Sequence, residues 1–269
     1  MKKISILLIV ALSFLACKQE KKEDNTEASE TITTEEQPTK KEYPTAIAAV
    51  LDAHGGMDRW NKMNNLCFEI KGGDNKETHT TSLKDRKSKI ETKKWTIGND
   101  GKNVWLLQNE EDSYKGNARF YHNLMFYFYA MPFVISDDGI VYTKMEEPME
   151  LDGKTYNATK IGYNAGIGDS PKDEYIIFSD PATDKMEWLG YTVTFGKEET
   201  ADDWHFIKYD KWEEVNGLLL PKKLTWYNVK DNKPTDERND LTFDNITVTE
   251  TVLEDSVFSK PEAATIAQK

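Results

Sequence analysis

From residue 66 to residue 250 the chain is cut by turn chemistry into short runs of strand-like alternation, and that punctuation constrains the fold more than any other feature. Runs at 66–71, 78–83, 88–97 and 102–108 come first, and runs at 154–163, 174–179, 186–196, 204–215, 218–229 and 239–250 follow after an interruption. Asn99-Asp100-Gly101, Asp152-Gly153, Asp180-Pro181-Ala182-Thr183-Asp184 and Asn216-Gly217 separate neighbouring runs, all residue types suited to tight or left-handed turns. Connections this short cannot carry a crossover helix, so successive strands must run antiparallel. The chain is therefore expected to be mainly β, an α+β fold built on an antiparallel meander.

The alternation is not one-sided. In 186–196, Leu189, Tyr191, Val193 and Phe195 share a face while Met186 and Trp188 lie opposite, and in 218–229 Trp226 and Tyr227 point to opposite sides. A flat sheet with one dry face does not need aromatic residues on both. A curved sheet around an apolar interior, with some packing on its outer surface, accounts for the pattern. Cys67 falls in the first run with Leu66, Phe68 and Ile70 on one face; nothing nearby in sequence supplies a base or a positive niche, so it is expected to be a packed thiol.

Two helical stretches stand outside this pattern. Tyr43-Pro44 opens the first, where Ile47, Val50, Leu51 and His54 recur at helical spacing before Gly55-Gly56 ends it, and a short turn at 57–63 carries Trp60. His54, beside the Gly-Gly end, is expected to be a structural hydrogen-bonding group. The second, 120–135, is aromatic nearly all round, with Phe120, Leu124, Phe128 and Met131 on one stripe, Tyr121, Met125 and Tyr129 displaced from it, and Pro132 to end or kink it. Two readings of it are open: a packed plug on the open side of the sheet, or a plug that leaves room for an apolar ligand.

The N-terminus reads as an export signal. Lys2 and Lys3 precede an apolar stretch from Ile4 to Ala16, shorter than the roughly 20 apolar residues of a membrane span, and Phe14-Leu15-Ala16-Cys17 has the form of a bacterial lipoprotein cleavage site. Residues 1–16 are expected to be removed and Cys17 acylated, palmitate being a typical chain, which would anchor the protein to a membrane of the cell envelope. Residues 17–42 contain Ile32 as the one large aliphatic side chain after Cys17 amid Lys, Glu, Thr and Gln, a composition that cannot offset its ordering entropy. As a flexible tether it would set its ends about 25 to 30 Å apart. Residues 43–255 are expected to form one domain and 256–269 a C-terminal tail.

Charge and motif content exclude several functions. A formal charge of −12, more negative still once Lys2 and Lys3 are gone, argues against nucleic-acid binding. His54, His79, His122 and His205 are too scattered for metal-site spacing, and neither a nucleophile elbow nor a phosphate-binding loop is present. The Asp180/Asp184 and Asp236/Glu237/Asp240 groups lack the alternating pattern of a calcium loop. No catalytic residue, metal or cofactor is expected, and the chain is not expected to be an enzyme.

Ala53-His54-Gly55-Gly56 with Trp60, and Phe126-Tyr127-Phe128-Tyr129-Ala130-Met131-Pro132-Phe133, resemble a group of uncharacterised Gram-negative lipoproteins. Asp180-Pro181-Ala182-Thr183 in a hairpin, and Val215-Asn216-Gly217-Leu218-Leu219-Leu220-Pro221 before a long strand, are similar to the LolA/LolB-like superfamily of lipoprotein carriers and receptors. That resemblance, over about residues 43–250, implies a half-open antiparallel β-barrel closed by one or two helices, with an apolar cavity for acyl chains. It implies an outer-membrane lipoprotein, periplasmic or surface-exposed, that binds a lipid, an acyl chain or a lipidated protein. Phe126, Phe128, Met131, Phe133, Leu189, Tyr191, Phe195 and Trp226 are the side chains expected to line the cavity. A structural or protein-interaction lipoprotein with a packed core is the alternative, and an apolar void above about 300 Å³ distinguishes the two.

Overall fold

The computed structural model describes residues 41–71, 76–145, 147–164, 170–197 and 199–268. Cys17, the leader and all but the end of the tether lie outside the described residues. Contacts divide the chain into Met1–Lys41 and a compact unit, Glu42–Lys269, and the description that follows is of the second.

The unit opens with α1 (Thr45–Ala53) and α2 (Met57–Trp60), then β1 (Asn65–Ile70), β2 (Glu77–Ser82), β3 (Ser88–Glu91), β4 (Trp95–Asn99) and β5 (Val104–Gln108). A helical passage follows: α3 (Ala118–Tyr121), α4 (Leu124–Tyr129) and a 3₁₀ turn, Phe133–Ser136. The chain then forms β6 (Ile140–Lys144), β7 (Met149–Leu151), β8 (Lys154–Tyr163), β9 (Tyr175–Ser179), β10 (Met186–Tyr191), β11 (His205–Val215), β12 (Leu218–Lys230), β13 (Lys233–Thr249) and β14 (Thr265–Ile266).

Among the described residues the strands form one antiparallel sheet in the order β14-β5-β4-β3-β2-β1-β13-β12-β11-β10-β9-β8-β6, with β7 paired to β8. β6 and β14 stand at opposite ends and do not meet, so the sheet is open. β13 joins its halves: residues near its end pair with β1, from Thr249↔Asn65 to Phe243↔Ile70, while its earlier part pairs with β12. This is the half-open sheet with helices that the resemblance to the LolA/LolB-like superfamily implies.

Both faces carry apolar clusters. The inner one joins Val50 and Leu51 of α1, Phe68 of β1, Tyr129 and Phe133 of the helical passage, and Leu189, Leu224 and Phe243 of the sheet. The outer one, over β8 to β12, holds Tyr156, Phe178, Trp188, Phe206 and Tyr227. Trp226 faces inward and Tyr227 outward, as the alternation requires. Met186, expected opposite Leu189 and Tyr191, joins them inside, because the β9–β10 register shifts between Met186 and Trp188 and reverses the side on which Met186 lies.

Three further differences from the sequence reading have local causes. The run expected at 88–97 is two strands, because the Thr92 hydroxyl donates to the Trp95 carbonyl at 2.9 Å while its oxygen accepts from the Lys94 and Trp95 amides, closing a turn. β6 and β7 escape the sequence pattern because β6 is an edge strand with Val141, Thr143 and Lys144 exposed, and β7 has three residues. Residues 256–269, expected to be a tail, belong to the compact unit: Phe258 is buried, its carbonyl accepts from Trp105 Nε1 at 3.1 Å, and β14 pairs with β5.

The two short motifs near His54 and Asn216 meet in space. The Leu219 amide donates to the His54 carbonyl at 2.9 Å, and Arg59 Nε donates to the Asn216 carbonyl at 2.7 Å. Gly55 takes a φ of +108°, and a Cβ there would lie 2.3 Å from the Gly217 carbonyl oxygen, so glycine is required for α1 to sit against the β11–β12 turn.

Candidate functional site

The helical passage fills the concave side of the sheet, and its first half decides where space remains. Asn117 caps α3, its side-chain oxygen accepting from the Phe120 amide at 3.0 Å. The passage breaks at His122-Asn123 and resumes as α4, so the single stripe expected over 120–135 is divided. Phe126 and Phe128 on α4, with Met131 and Phe133 beyond it, are at most 4% exposed. Phe128 packs on Tyr191 and Trp226 at centroid distances of 4.9 and 6.1 Å, and Trp226 Nε1 donates to the Tyr191 hydroxyl at 3.2 Å. Phe133 stacks on Trp60 at 4.6 Å. With Leu189, seven of the eight side chains expected to line a cavity are thus close-packed core.

The eighth, Phe195, does line one. A cavity of about 110 Å³ lies between the first half of the helical passage and the neighbouring ends of β8 and β9. Phe120, Leu124, Tyr127, Tyr163, Tyr175 and Phe195 form its apolar and aromatic wall, and Arg119, Asn123, Ser170 and Asp173 its polar part. Phe120 meets Phe195 edge-on at 5.1 Å, and Tyr163 meets Tyr175 at 6.0 Å with their planes 78° apart. Phe120 and Leu124 were legible as part of the helical stripe. Tyr163, Asp173 and Tyr175 were not singled out by sequence; their signal is position, since they close one strand and open the next at the same rim.

Asp173 is held by its own strand connection. Its amide donates to the Ser170 carbonyl at 3.0 Å, and its Oδ1 accepts from both the amide and the hydroxyl of Thr194, each at 2.6 Å. Burial pushes its carboxyl above the usual range, opposed by those bonds and by the charge of Lys197. Burial also raises Tyr163, with Tyr127, Asp137 and Asp173 adding to the effect, and raises Tyr175. The tyrosine hydroxyls around the cavity therefore stay protonated, so its aromatic wall carries rings and neutral hydroxyls and no phenolate.

A second opening, a shallow groove of about 490 Å³ beside β5 and β14, is open to solvent and lined by Leu106, Ala118 and Ala267 with Lys115, Asn117 and Gln268. It is not an enclosed apolar void. Elsewhere, His54 is buried with Nδ1 donating to the Val50 carbonyl at 2.7 Å, and Cys67 is half-buried with its thiol 3.7 Å from the Thr80 hydroxyl. His79 and Tyr121 share Glu77, at 3.0 and 2.8 Å, which ties α3 to β2. Among the described residues no group of three His, Cys, Asp or Glu side chains is placed to hold a metal ion, and no helix is long and apolar enough to cross a membrane.

A family model described as a family of unknown function, DUF6503, matches residues 2–255. Among solved structures, a LolA superfamily protein from Nitrosomonas europaea aligns with a TM-score of 0.47 at 9% identity, over 79% of this chain and 96% of that one. A domain named for outer membrane lipoprotein sorting, from Vibrio parahaemolyticus, aligns with a TM-score of 0.40 at 8% identity, over 75% and 93%. No curated protein matches the chain by sequence.

Proposed function

The chain belongs to DUF6503, a family of unknown function, and we propose that it is an envelope lipoprotein anchored through acylated Cys17 that binds an apolar ligand at the rim of its half-barrel. The carrying observation is the cavity between Phe120, Leu124 and Tyr127 on one side and Tyr163, Tyr175 and Phe195 on the other. An apolar wall with a few polar groups at one part of it is the general form of a site that takes the end of an amphiphile. Each methylene buried there contributes about 0.8 kcal/mol. The ligand class is a lipid, an acyl chain or a lipidated protein, and binding is by burial rather than by chemistry on the ligand.

Native mass spectrometry of the protein extracted from its own membrane tests both parts. The expected species has lost residues 1–16 and gained the mass of acyl groups, which Cys17→Ala abolishes together with membrane retention. It also carries a bound lipid that Phe195→Asp loses. If the extracted protein carries no lipid and the delipidated protein takes up neither fatty acid nor phospholipid, apolar-ligand binding is wrong.

One observation favours a second reading, a lipoprotein that meets another envelope protein through its surface. The interior is filled by Phe68, Tyr129, Phe133 and Phe243, and the cavity of about 110 Å³ is smaller than the roughly 300 to 1,000 Å³ of sites that enclose a whole ligand. Absence of bound lipid with a specific partner recovered by in-membrane crosslinking would establish it.

A further inference from the structure

Among the described residues β14 and β6 end the sheet, β7 lies beside β6 at the same margin, and the part of β13 before Phe243 pairs only with β12. An unpaired edge recruits another strand unless it is very short, charged, bulged or interrupted by proline. β14 has two residues and β7 three, and the free part of β13 carries Pro234 and a run of charged side chains. β6 has none of these protections along Ile140-Val141-Tyr142-Thr143. It pairs with β8 in unbroken register, and its one charge, Lys144, stands at its end. Isoleucine, valine, tyrosine and threonine are also the residue types that strands favour.

The hydrogen bonds at the two ends of β6 fix the direction of its backbone. The Asn164 amide donates to the Gly139 carbonyl at 2.8 Å, and the Met145 amide donates to the Ala158 carbonyl at 3.3 Å. Such groups alternate along an antiparallel ladder, so Val141 and Thr143 address β8 while the amides and carbonyls of Ile140, Tyr142 and Lys144 point to the open side. On this edge Val141 is 46% exposed, and Ile140 and Tyr142 are only half-buried against the inner cluster.

A second copy of the same strand answers all of these features together. Because the open backbone groups belong to even-numbered residues, an antiparallel partner must join even to even. In the register that sets Ile140 opposite Tyr142, the two-fold axis passes through Val141. The two exposed valines then form a non-hydrogen-bonded pair, in which facing side chains are closest, and each isoleucine covers a tyrosine ring. The same register brings Lys144 beside Asp138 in the turn that opens the other copy's β6, opposite charges meeting at both ends; Asp138 also interacts within its own chain. The next register, with Tyr142 opposite itself, sets Ile140 against Lys144 and loses both matches.

We propose that β6 pairs with β6 of a second copy about a two-fold axis at Val141, so that two half-open sheets join into one. The contact is self-complementary and therefore closes at a dimer. It does not depend on the cavity or on what fills it.

Disulfide trapping in intact cells tests it, in a full chain carrying Cys67→Ser. Directly opposed residues meet disulfide geometry, so Val141→Cys should give crosslinked dimer roughly tenfold faster than Val252→Cys, an exposed control at 75%, and than Thr143→Cys, whose copies lie apart in this register. Cys17 is common to all three chains and cancels in the comparison. Val141→Lys sets two like charges at the axis and should lower the dimer fraction about tenfold in sedimentation, with an unchanged unfolding midpoint. Amide exchange reads the contact without any substitution: raising the protein concentration should slow exchange at Ile140, Tyr142 and Lys144 and leave Val141 and Thr143 as they were. Equal crosslinking of Val141→Cys and Val252→Cys, or faster crosslinking of Thr143→Cys than of Val141→Cys, overturns the proposal. Should the Val141 variants fail to fold, exchange at the three even-numbered amides decides, and its independence of concentration overturns the proposal as well.

Discussion

His54 shows how much a single buried side chain commits the molecule. Its Nδ1 donates to the Val50 carbonyl, its ring meets Trp212 edge-on at 4.5 Å, and its Nε2 is buried with no partner among the described residues. Burial lowers its pKa from 6.5 to about 4. The native state therefore excludes a proton that the unfolded chain accepts between those values. Stability from this source is complete above pH 6.5 and is lost as the pH falls toward 4, by about 3 kcal/mol at 1.36 kcal/mol per pKa unit. Urea unfolding at pH 7.5 and 4.5 should show this loss in the unaltered chain and not in His54→Leu, the carboxylates contributing equally to both. Identical pH slopes would refute it. That His54 is structural was legible from its place beside Gly55-Gly56, but its neutral state was not, since that depends on Trp212 arriving from a distant strand.

At the scale of elements, the helical passage is secured more by the sheet than by its own propensity, since α3 has four residues and α4 six. The Tyr209 hydroxyl donates to the Phe128 carbonyl at 2.7 Å and the Tyr142 hydroxyl to the Ile135 carbonyl at 2.5 Å. Tyr209→Phe leaves a buried carbonyl without that donor and should cost about 1–3 kcal/mol. Hydrogen exchange at 124–135 should quicken more than exchange in β1 and β13; a uniform change across the unit would show that Tyr209 does not hold this passage in particular. The sheet's own weak point is β13, whose residues before Phe243 pair only with β12 among the described residues. Pro234 and the charges of Asp236, Glu237, Arg238 and Asp240 lie along that stretch, features that discourage pairing by another chain. The strands and their antiparallel sense were legible because alternation and turn residues are local. The 88–97 split was not, because one threonine hydroxyl decided it.

For the molecule as a whole, the segment after β13 covers one end of the open sheet, where β14 pairs with β5. Trp105 lies over Gly98, where a Cβ would come within 2.1 Å of the indole; its Nε1 donates to the Phe258 carbonyl at 3.1 Å, and the Phe258 side chain is 1% exposed. Phe258→Ala should cost about 3–5 kcal/mol, read as a lower denaturation midpoint. An unchanged midpoint would mean that the final segment is an accessory to the fold. By itself, the sequence determined an antiparallel, curved sheet covered on both faces, because short turns forbid crossovers and aromatic residues on both faces demand cover on both. The tertiary structure alone decided where space remains. A register shift turned Met186 inward, the break at His122-Asn123 separated Phe120 and Leu124 from Phe128 and Met131, and the rim residues Tyr163, Asp173, Tyr175 and Phe195 were gathered from different parts of the chain. Local pattern sets which residues avoid water, but a cavity exists only where distant side chains fail to fill the same volume.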